Sequence, residues 1–329
     1  MRFLIAGLGS IGRRHLRNLQ ALGESDIVLY RTGRSTLPEE DLTGFAQESD
    51  LQRALSVHQP DAVIVANPTA LHLDVAIPAA EAGCAILLEK PISHSMERVP
   101  ELKAAVLRAG QQAFVGFQFR FHPGLREAKR LLEDGAIGRL LSARAHWGAY
   151  LPGWHPWEDY RQGYSARSDL GGGVILTLCH PLDYLRWLLG EVSALWAFTG
   201  HLGELELQVE DTAEIGLRFA NGALGSVYLD YNQHPVTHRL EIIGSKGTIL
   251  WDNADGATRL FRSSSEVWEV FPAPPGFERN DLFLAEMRHF LSVVRGEAEP
   301  LCTLDDGLRA LQLALAAHQS QESGQIICL

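Results

Sequence analysis

The sequence predicts an α/β protein of two domains, the first built on a parallel sheet and the second an α+β domain with a large, mainly antiparallel open sheet. The chain has 329 residues, which is more than one hydrophobic core usually supports. Short apolar runs alternate with amphipathic stretches in the first third of the chain, whereas strand patterns dominate its second half. We therefore place the domains at residues 1–121 and 122–329.

The N-terminal elements alternate between strand and helix. The predicted strands are Arg2–Ala6, Asp26–Tyr30, Asp61–Ala66, Ala85–Glu89 and Ala113–Phe117. The helical patterns between them are Ile11–Leu22, Leu51–His58, Leu71–Ala82 and Met96–Ala109. This order predicts a doubly wound parallel sheet with helices on both faces.

The C-terminal elements begin with a helix and end with two. We predict helices at Gly124–Glu133, Val174–Leu189, Asp281–Arg295 and Leu304–Gln319. Predicted strands are Leu140–Trp147, Asp211–Phe219, Ala223–Tyr231, Val236–Gly244 and Thr248–Asp252. Asn221-Gly222 is a strong hairpin signal, and Thr303 with Asp306 resembles a helix cap.

Composition and charge exclude several classes of protein. Hydrophobic residues make up 46% and charged residues 21% of the chain, as in soluble enzymes. The formal net charge of -11 disfavours nucleic acid and anionic membranes as partners. The four cysteines form no Cys-x-x-Cys pair, and the histidines and carboxylates show no compact ligand spacing, so no metal site is predicted. With no signal peptide or apolar run of about 20 residues, a cytoplasmic location is expected.

A glycine-rich turn follows the first predicted strand and opens the first helix. Gly7, Gly9 and Gly12 match the G-x-G-x-x-G pattern of dinucleotide-binding Rossmann domains in the required context. The pattern assigns a tight turn to Gly7, close approach of the pyrophosphate to Gly9, and close helix–strand packing to Gly12. Ser10 and Ile11 begin the helix whose N–H groups face the phosphates. The alternative is an ordinary tight turn.

The turn after the second predicted strand favours NADP. An NAD-specific site usually carries an acidic residue about 20 residues beyond the glycines, and this chain has none there. Arg31, Arg34 and Ser35 instead form a basic, hydroxyl-rich turn that suits a 2′-phosphate. A solvated loop whose arginines contact nothing is the alternative, and NAD remains possible.

An ordered set of motifs resembles the glucose-fructose oxidoreductase/inositol dehydrogenase (Gfo/Idh/MocA) family over nearly the whole chain. The matching segments are GLGSIGRRH at 7–15, Asn67-Pro68-Thr69 through His72, Glu89-Lys90-Pro91, Val115-Gly116-Phe117 with Arg120-Phe121-His122-Pro123, the Gly135–Gly138 and Gly244–Gly247 turns, and Gly171-Gly172-Gly173 leading to His180-Pro181-Leu182-Asp183.

The resemblance implies a Rossmann domain, an open antiparallel sheet that mediates dimer or tetramer contacts, and hydride exchange with a sugar, polyol or sugar derivative. It implies that Lys90 and His180 are the catalytic pair. The motifs assign Asn67, Pro68, His72, Glu89 and Lys90 to cofactor binding.

The chemistry of these residue types agrees with the assignment. Oxidation of an alcohol needs a base near the hydroxyl, and imidazole has a reference pKa of about 6.5, while a lysine can hold a hydroxyl or polarise a carbonyl. Asp183 shares a helix face with His180 and is predicted to hold the imidazole or bind a hydroxyl. Taken singly, Lys90 would be better explained as a surface lysine after a strand, and His180 as a buried, satisfied histidine on an amphipathic helix.

An aromatic loop at residues 150–173 supplies further substrate contacts in this interpretation. Aromatic rings stack on sugar faces and arginines bind carboxylates or phosphates, so the loop favours a nucleotide sugar or sugar acid; a packed lid or subunit contact is the alternative. The predicted substrate-binding residues are Lys90, Arg120, Trp157, Tyr164, Arg167, Thr177, His180 and Asp183.

The sequence predicts an NAD(P)-dependent oxidoreductase that acts on a sugar-like small molecule. The chain is predicted to form a homodimer or homotetramer through its C-terminal sheet. One position departs from the family: many relatives have an aspartate four residues before the histidine, where this chain has Leu176. A non-catalytic NAD(P)- or sugar-sensing protein of the same fold is therefore the alternative.

Overall fold

The computed structural model describes residues 1–33 and 42–329, so the predicted cofactor residues Arg34 and Ser35 lie outside the described residues. The chain forms two compact units. Unit 1 comprises Met1–Phe117, Gln162–Gly172 and Asn280–Leu311; unit 2 comprises Gln118–Arg161, Gly173–Arg279 and Gln312–Leu329. The predicted boundary at 121/122 falls four residues from the observed one at 117/118. Gln162–Gly172 and Asn280–Leu311 were predicted to lie in the second domain. They belong to unit 1 because they pack on the edge of its sheet and on its helices.

Unit 1 contains a six-stranded parallel sheet in the order β3-β2-β1-β4-β5-β6. Its strands are β1 (Phe3–Ala6), β2 (Ile27–Tyr30), β3 (Ala46–Glu48), β4 (Ala62–Val65), β5 (Ala85–Leu88) and β6 (Ala113–Val115). This is the strand order of dinucleotide-binding Rossmann domains. The runs FLIA, AVIV and AILL are fully buried, as expected for central strands covered on both faces.

The helices follow the predicted pattern with one correction. They are α1 (Ser10–Ala21), α2 (Leu51–His58), α3 (His72–Glu81), α4 (Val99–Ala109), α5 (Pro123–Glu133), α6 (Val174–Thr177), α7 (His180–Leu189), α8 (Arg279–Val294) and α9 (Leu304–Ser323). The single helix predicted at Val174–Leu189 was wrong, because Pro181 has no N–H to continue the bonding pattern and instead sits in the first turn of α7. The predicted cap is confirmed: Thr303 N donates to Asp306 Oδ2 at 2.9 Å and Asp306 N to Thr303 Oγ1 at 3.2 Å. No helix in the described part of the chain is long and apolar enough to cross a membrane.

Unit 2 contains a nine-stranded sheet in the order β14-β13-β12-β11-β7-β10-β9-β8-β15. Its strands are β7 (Leu140–Gly148), β8 (Val192–Gly200), β9 (Thr212–Phe219), β10 (Leu224–Asp230), β11 (Thr237–Gly244), β12 (Gly247–Asp252), β13 (Thr258–Arg262), β14 (Trp268–Phe271) and β15 (Ile327–Cys328). Only the pair of β7 and β10 is parallel among these described strands. The predicted hairpin is confirmed, since β9 and β10 pair antiparallel around Gly222, whose φ is +87°.

The two faces of this sheet differ in how deeply their side chains are buried. Alternation along β9 and β10 places Ile215, Leu217, Val227 and Leu229 on a buried face. The strand register places the following exposed apolar side chains on the opposite face, the first three on β8 and β10 and the last two on the edge strand β14: Trp196, Phe198, Leu224, Trp268 and Val270. We call this the open face of the sheet.

Candidate active site

The glycine-rich turn has the geometry that its sequence predicts. Gly7 has φ +93°, and a Cβ there would lie 2.7 Å from the backbone of Asn67, while a Cβ on Gly12 would lie 2.0 Å from the carbonyl oxygen of Gly7. A Cβ on Gly9 would meet nothing within 4 Å. The turn is therefore closed against the sheet at Gly7 and Gly12 and open at Gly9, directly before α1 begins at Ser10. This shape fits a pyrophosphate held at a helix N-terminus.

A shallow pocket of about 360 Å³ follows the carboxyl end of β2. It is lined by Arg31, Thr32, Gly33, Gln47, Glu48 and Ser49. The structure thus places the predicted cofactor residue Arg31 beside a pocket, together with residues of β3 that the sequence did not reveal. Glu48 accepts hydrogen bonds from His58 at 3.0 Å and Arg53 at 3.1 Å. The hydrogen bond from His58, helped by Arg53, lowers the pKa of Glu48, so a negative charge also borders this pocket.

His72 joins the loops that follow β4 and β5. Its Nδ1 lies 2.9 Å from the carbonyl oxygen of Pro91 and its Nε2 lies 3.0 Å from that of Asn67. Burial lowers the pKa of His72 to about 4, so the ring is neutral and donates from one nitrogen at a time. This predicted cofactor residue therefore packs between the two loops and donates to the carbonyl oxygen of either Asn67 or Pro91.

Glu89 forms a buried ion pair behind Lys90. His15 Nε2 lies 2.7 Å from Glu89 Oε1, and both side chains are buried. The backbone N–H of Lys90 donates to Glu89 Oε2 at 3.3 Å, and the Lys90-Pro91 peptide bond is cis. Burial acts to raise the pKa of Glu89, but the hydrogen bond from His15 and the charges of His15 and Lys90 outweigh it and lower that pKa. Glu89, predicted to bind cofactor, therefore fixes the backbone at Lys90.

Asp183 in unit 2 is bound by Arg120. Arg120 donates from Nη2 to Asp183 Oδ1 at 2.7 Å and from Nε to Oδ2 at 3.0 Å. The two side chains are only 3% and 2% exposed. A two-pronged buried pair of this kind has demanding geometry. It fixes the first turn of α7, where His180 also stands.

His180 lies in a cluster of aromatic rings that the sequence did not reveal. Its ring centroid is 5.0 Å from that of Phe119 and 5.4 Å from that of Trp147. Behind these rings, the hydroxyl of Tyr184 hydrogen-bonds His238 Nε2 at 3.2 Å. His180 and the predicted substrate residue Thr177 are both buried. The only sign of this cluster in the sequence is that aromatic residues stand on both sides of Arg120.

The aromatic loop is divided between the two units. Tyr164 and Arg167 belong to unit 1, where Gly171 packs against Thr69 and His94. Trp157 belongs to unit 2 and is 63% exposed, with its ring against His155. These three predicted substrate residues therefore do not all belong to one unit.

The arginines of the loop are already paired with carboxylates. Arg167 donates to Asp169 at 2.9 Å, and Arg161 binds Asp159 at 2.8 Å and Glu206 at 2.7 Å. Their charges are therefore offset locally, which weakens the sequence-based argument for an anionic substrate.

Two family models match this chain. One, described as an oxidoreductase family with an NAD-binding Rossmann fold, matches residues 1–117. The other, described as the GFO/IDH/MocA C-terminal domain, matches residues 125–250. The chain belongs to the Gfo/Idh/MocA oxidoreductase family. The predicted fold class and the prediction of a nicotinamide-dependent oxidoreductase are thereby confirmed.

Characterised relatives in this family resemble the whole chain or most of it. Myo-inositol 2-dehydrogenase of Thermotoga maritima is 29% identical, with 100% of this chain and 98% of the relative aligned. Levoglucosan dehydrogenase of Pseudarthrobacter phenanthrenivorans is 32% identical, over 78% of this chain and 68% of the relative. The solved WlbA dehydrogenase of Bordetella pertussis, in complex with NADH and UDP-GlcNAcA, is 27% identical with a TM-score of 0.84 and covers 100% of this chain and 98% of its own.

Proposed function

We propose that this chain is a sugar or polyol dehydrogenase that exchanges a hydride between a carbinol carbon and NAD(P). The observation that carries the proposal lies within unit 1: the dinucleotide turn at Gly7–Gly12 and Lys90 share the carboxyl edge of one parallel sheet. Gly7 packs on Asn67, and His72 joins Asn67 to Pro91, so the turn and the Lys90 loop form one connected edge. Ligands of open α/β sheets bind at this edge.

His180 and Lys90 have different roles in the proposed reaction. His180 is assigned the role of the base that takes the proton of the substrate hydroxyl. The ammonium of Lys90 is assigned the role of the group that stabilises the negative charge developing on oxygen. The bound nicotinamide supplies the hydride acceptor. Asp183 and Arg120 hold the start of α7 in place and touch no reacting atom.

We propose a neutral, hydroxyl-rich substrate. The two arginines of the aromatic loop, Arg161 and Arg167, engage carboxylates of their own unit. Arg120 likewise engages Asp183. Two of the relatives are named for myo-inositol and levoglucosan, which are neutral polyhydroxyl compounds. The relative solved with UDP-GlcNAcA makes a nucleotide sugar the second candidate.

A substrate panel tests this proposal. Nicotinamide absorbance is followed with purified protein and myo-inositol, levoglucosan, aldoses, sugar acids and UDP-sugars, with NAD and NADP separately and in both directions. We expect turnover of a neutral polyol or sugar, and a loss of about 10² to 10⁴ in kcat for Lys90→Ala with nucleotide binding retained. Tight nucleotide binding without turnover on any compound would instead favour the sensor, in line with the missing aspartate at Leu176.

We propose NADP as the preferred cofactor, held at its 2′-phosphate by Arg31. The support is the absence of an acidic residue at the end of β2 and the place of Arg31 beside the pocket there. Titration of NADPH and NADH by fluorescence should show Arg31→Gln weakening NADPH by about tenfold, or 1.4 kcal/mol, with NADH unaffected. Equal effects on both nucleotides would contradict this preference.

We propose that the open face of the nine-stranded sheet pairs with a second copy of the chain, as a homodimer or within a homotetramer. Exposed apolar side chains occur towards both edges of this face, Trp196, Phe198 and Leu224 on β8 and β10 and Trp268 and Val270 on β14, and exposed apolar groups of this kind mark interfaces. Phe198, which is 70% exposed, is the most accessible of its aromatic rings. Sedimentation should show an oligomer for the native chain and a smaller species for Phe198→Glu, whereas a native monomer would refute the proposal.

A further inference from the structure

A second buried carboxyl group in unit 1 has no part in the proposed reaction. Glu286 of α8 is 0% exposed, and within the described residues neither of its carboxyl oxygens has a hydrogen-bond partner. A buried ionised carboxylate without a partner carries a large desolvation cost, and unsatisfied buried polar atoms are uncommon in native proteins. The charge state of Glu286 therefore requires an explanation.

The packing of α8 shows where Glu286 points. Phe283, Glu286 and Phe290 share one face of the helix by their spacing. The guanidinium of Arg14 in α1 lies 4.6 Å from the ring of Phe283, and the ring of Phe290 lies 6.2 Å from that of Phe114 in β6. Glu286 thus stands between α1 and the parallel sheet.

Glu286 and Glu89 lie in one buried region but differ in environment. Glu89 is held by His15 at 2.7 Å, and its pKa is lowered. For Glu286, burial first and the negative charge of Glu89 second raise the pKa well above its usual range. Two neighbouring carboxyl groups whose environments separate their pKa values take different protonation states.

We propose that Glu286 is a positioning residue that carries a proton at neutral pH and so leaves Glu89 as the single negative charge behind Lys90. This inference rests on the proposed function of Lys90. Loss of that proton would place a second charge against the Glu89 carboxylate, which pairs with His15 and accepts the backbone N–H of Lys90. Repulsion would then disturb the Lys90 backbone and slow the reaction.

Charged and titratable groups of both signs surround this region. Arg14, His15, His72, Glu89 and Lys90 lie on neighbouring elements, and His289 lies on α8 itself. Arg14 donates to Asn280 and stacks on Phe283, His15 pairs with Glu89, and His72 is neutral. Within the described residues none of these groups hydrogen-bonds the Glu286 carboxyl group, so a proton on Glu286 is the means by which this region avoids two adjacent negative charges.

Glu286→Gln, which keeps the size and the neutral state of the side chain, tests the protonation in the full-length protein. Because the pKa of Glu286 is raised in the folded protein, this residue contributes most stability at low pH. That contribution is lost as the pH rises from the unfolded-state pKa of about 4.3 through the higher folded-state pKa. The melting temperature of Glu286→Gln, relative to the native protein, should therefore rise steadily from acid to alkaline pH. Glu297→Gln, the same change at an exposed position just after α8, should show no such trend.

Infrared spectroscopy gives an independent readout. The native protein and Glu297→Gln should show the carbonyl band of a protonated carboxylic acid at neutral pH, and Glu286→Gln should lack it. An absent band in the native protein, or parallel melting profiles of Glu286→Gln and native protein, would overturn the proposal.

The positioning role is tested by the pH dependence of kcat on the substrate found in the panel. We expect the alkaline loss of kcat in the native enzyme to move to higher pH in Glu286→Gln, with KM nearly unchanged. An unmoved alkaline limb would overturn the positioning role. Absence of any turnover in the native protein would refute the proposed function and this role with it, while the infrared and melting results would still decide the protonation of Glu286.

Discussion

Two buried ion pairs stand beside the two candidate proton-handling residues, and they differ in kind. In unit 1, Glu89 precedes Lys90 and is held by the imidazole of His15; in unit 2, Asp183 follows His180 by one helical turn and is held by the guanidinium of Arg120. The guanidinium is permanently charged and binds Asp183 through two hydrogen bonds, whereas the imidazole makes one hydrogen bond with Glu89. The pair beside His180 is therefore the more firmly held of the two.

The largest expected effect comes from breaking the pair in unit 2. Asp183→Asn leaves the buried guanidinium of Arg120 without its charged partner, so we expect a loss of about 3–5 kcal/mol in unfolding free energy. The double variant Arg120→Met/Asp183→Leu should lose clearly less unfolding free energy, because it leaves no charge buried. Urea unfolding of the three proteins measures this. Equal losses in the single and double variants would show that the charge pair is not the relevant interaction.

A smaller, pH-dependent effect is expected from breaking the pair in unit 1. His15→Gln removes the imidazole that hydrogen-bonds Glu89 and should cost about 1–3 kcal/mol near neutral pH. The folded pKa of Glu89 is lowered, so the pair stabilises the protein above the unfolded value of about 4.3 and its contribution is lost as pH falls through the folded pKa. The difference in melting temperature between His15→Gln and native protein should therefore shrink in acid. A constant difference across pH would contradict a titrating pair.

The smallest effect is expected where an ion pair is exposed. Lys103 lies 2.6 Å from Asp305, with the side chains 54% and 65% exposed. Solvent screening leaves such a pair little net energy, so Lys103→Ala should leave the melting temperature almost unchanged. A loss comparable to that of His15→Gln would show that burial is not what separates these pairs.

Local pattern was enough to predict most of unit 1 and the hairpin of unit 2. The buried strands of unit 1 are apolar runs bounded by turn residues, and the turn at Gly7–Gly12 follows from side-chain size alone. β3 has only the residues Ala46–Glu48, two of them polar, and gives no strand signal. β8 carries apolar side chains on both faces, including Trp196 and Phe198 on the open face, so the expected alternation is missing.

The contacts that shape the site could not be predicted because they join distant parts of the chain. Arg120 and Asp183 are 63 residues apart, and His15 and Glu89 are 74 apart. The sequence suggested that Asp183 serves His180 or the substrate; only the fold shows that both its oxygens accept from Arg120. The buried position of Glu286 likewise depends on the return of α8 to unit 1.

Transfer of hydride from the substrate to the nicotinamide is the most direct test of the proposed oxidoreductase function. The sugar or polyol selected by the panel is prepared with deuterium on its carbinol carbon, and the reduced nicotinamide product is analysed by mass spectrometry. We expect one deuterium in the nicotinamide ring from the native enzyme, and no labelled product above background from Lys90→Ala or His180→Asn. Substrate consumption with an unlabelled nicotinamide would contradict the proposed oxidoreductase chemistry.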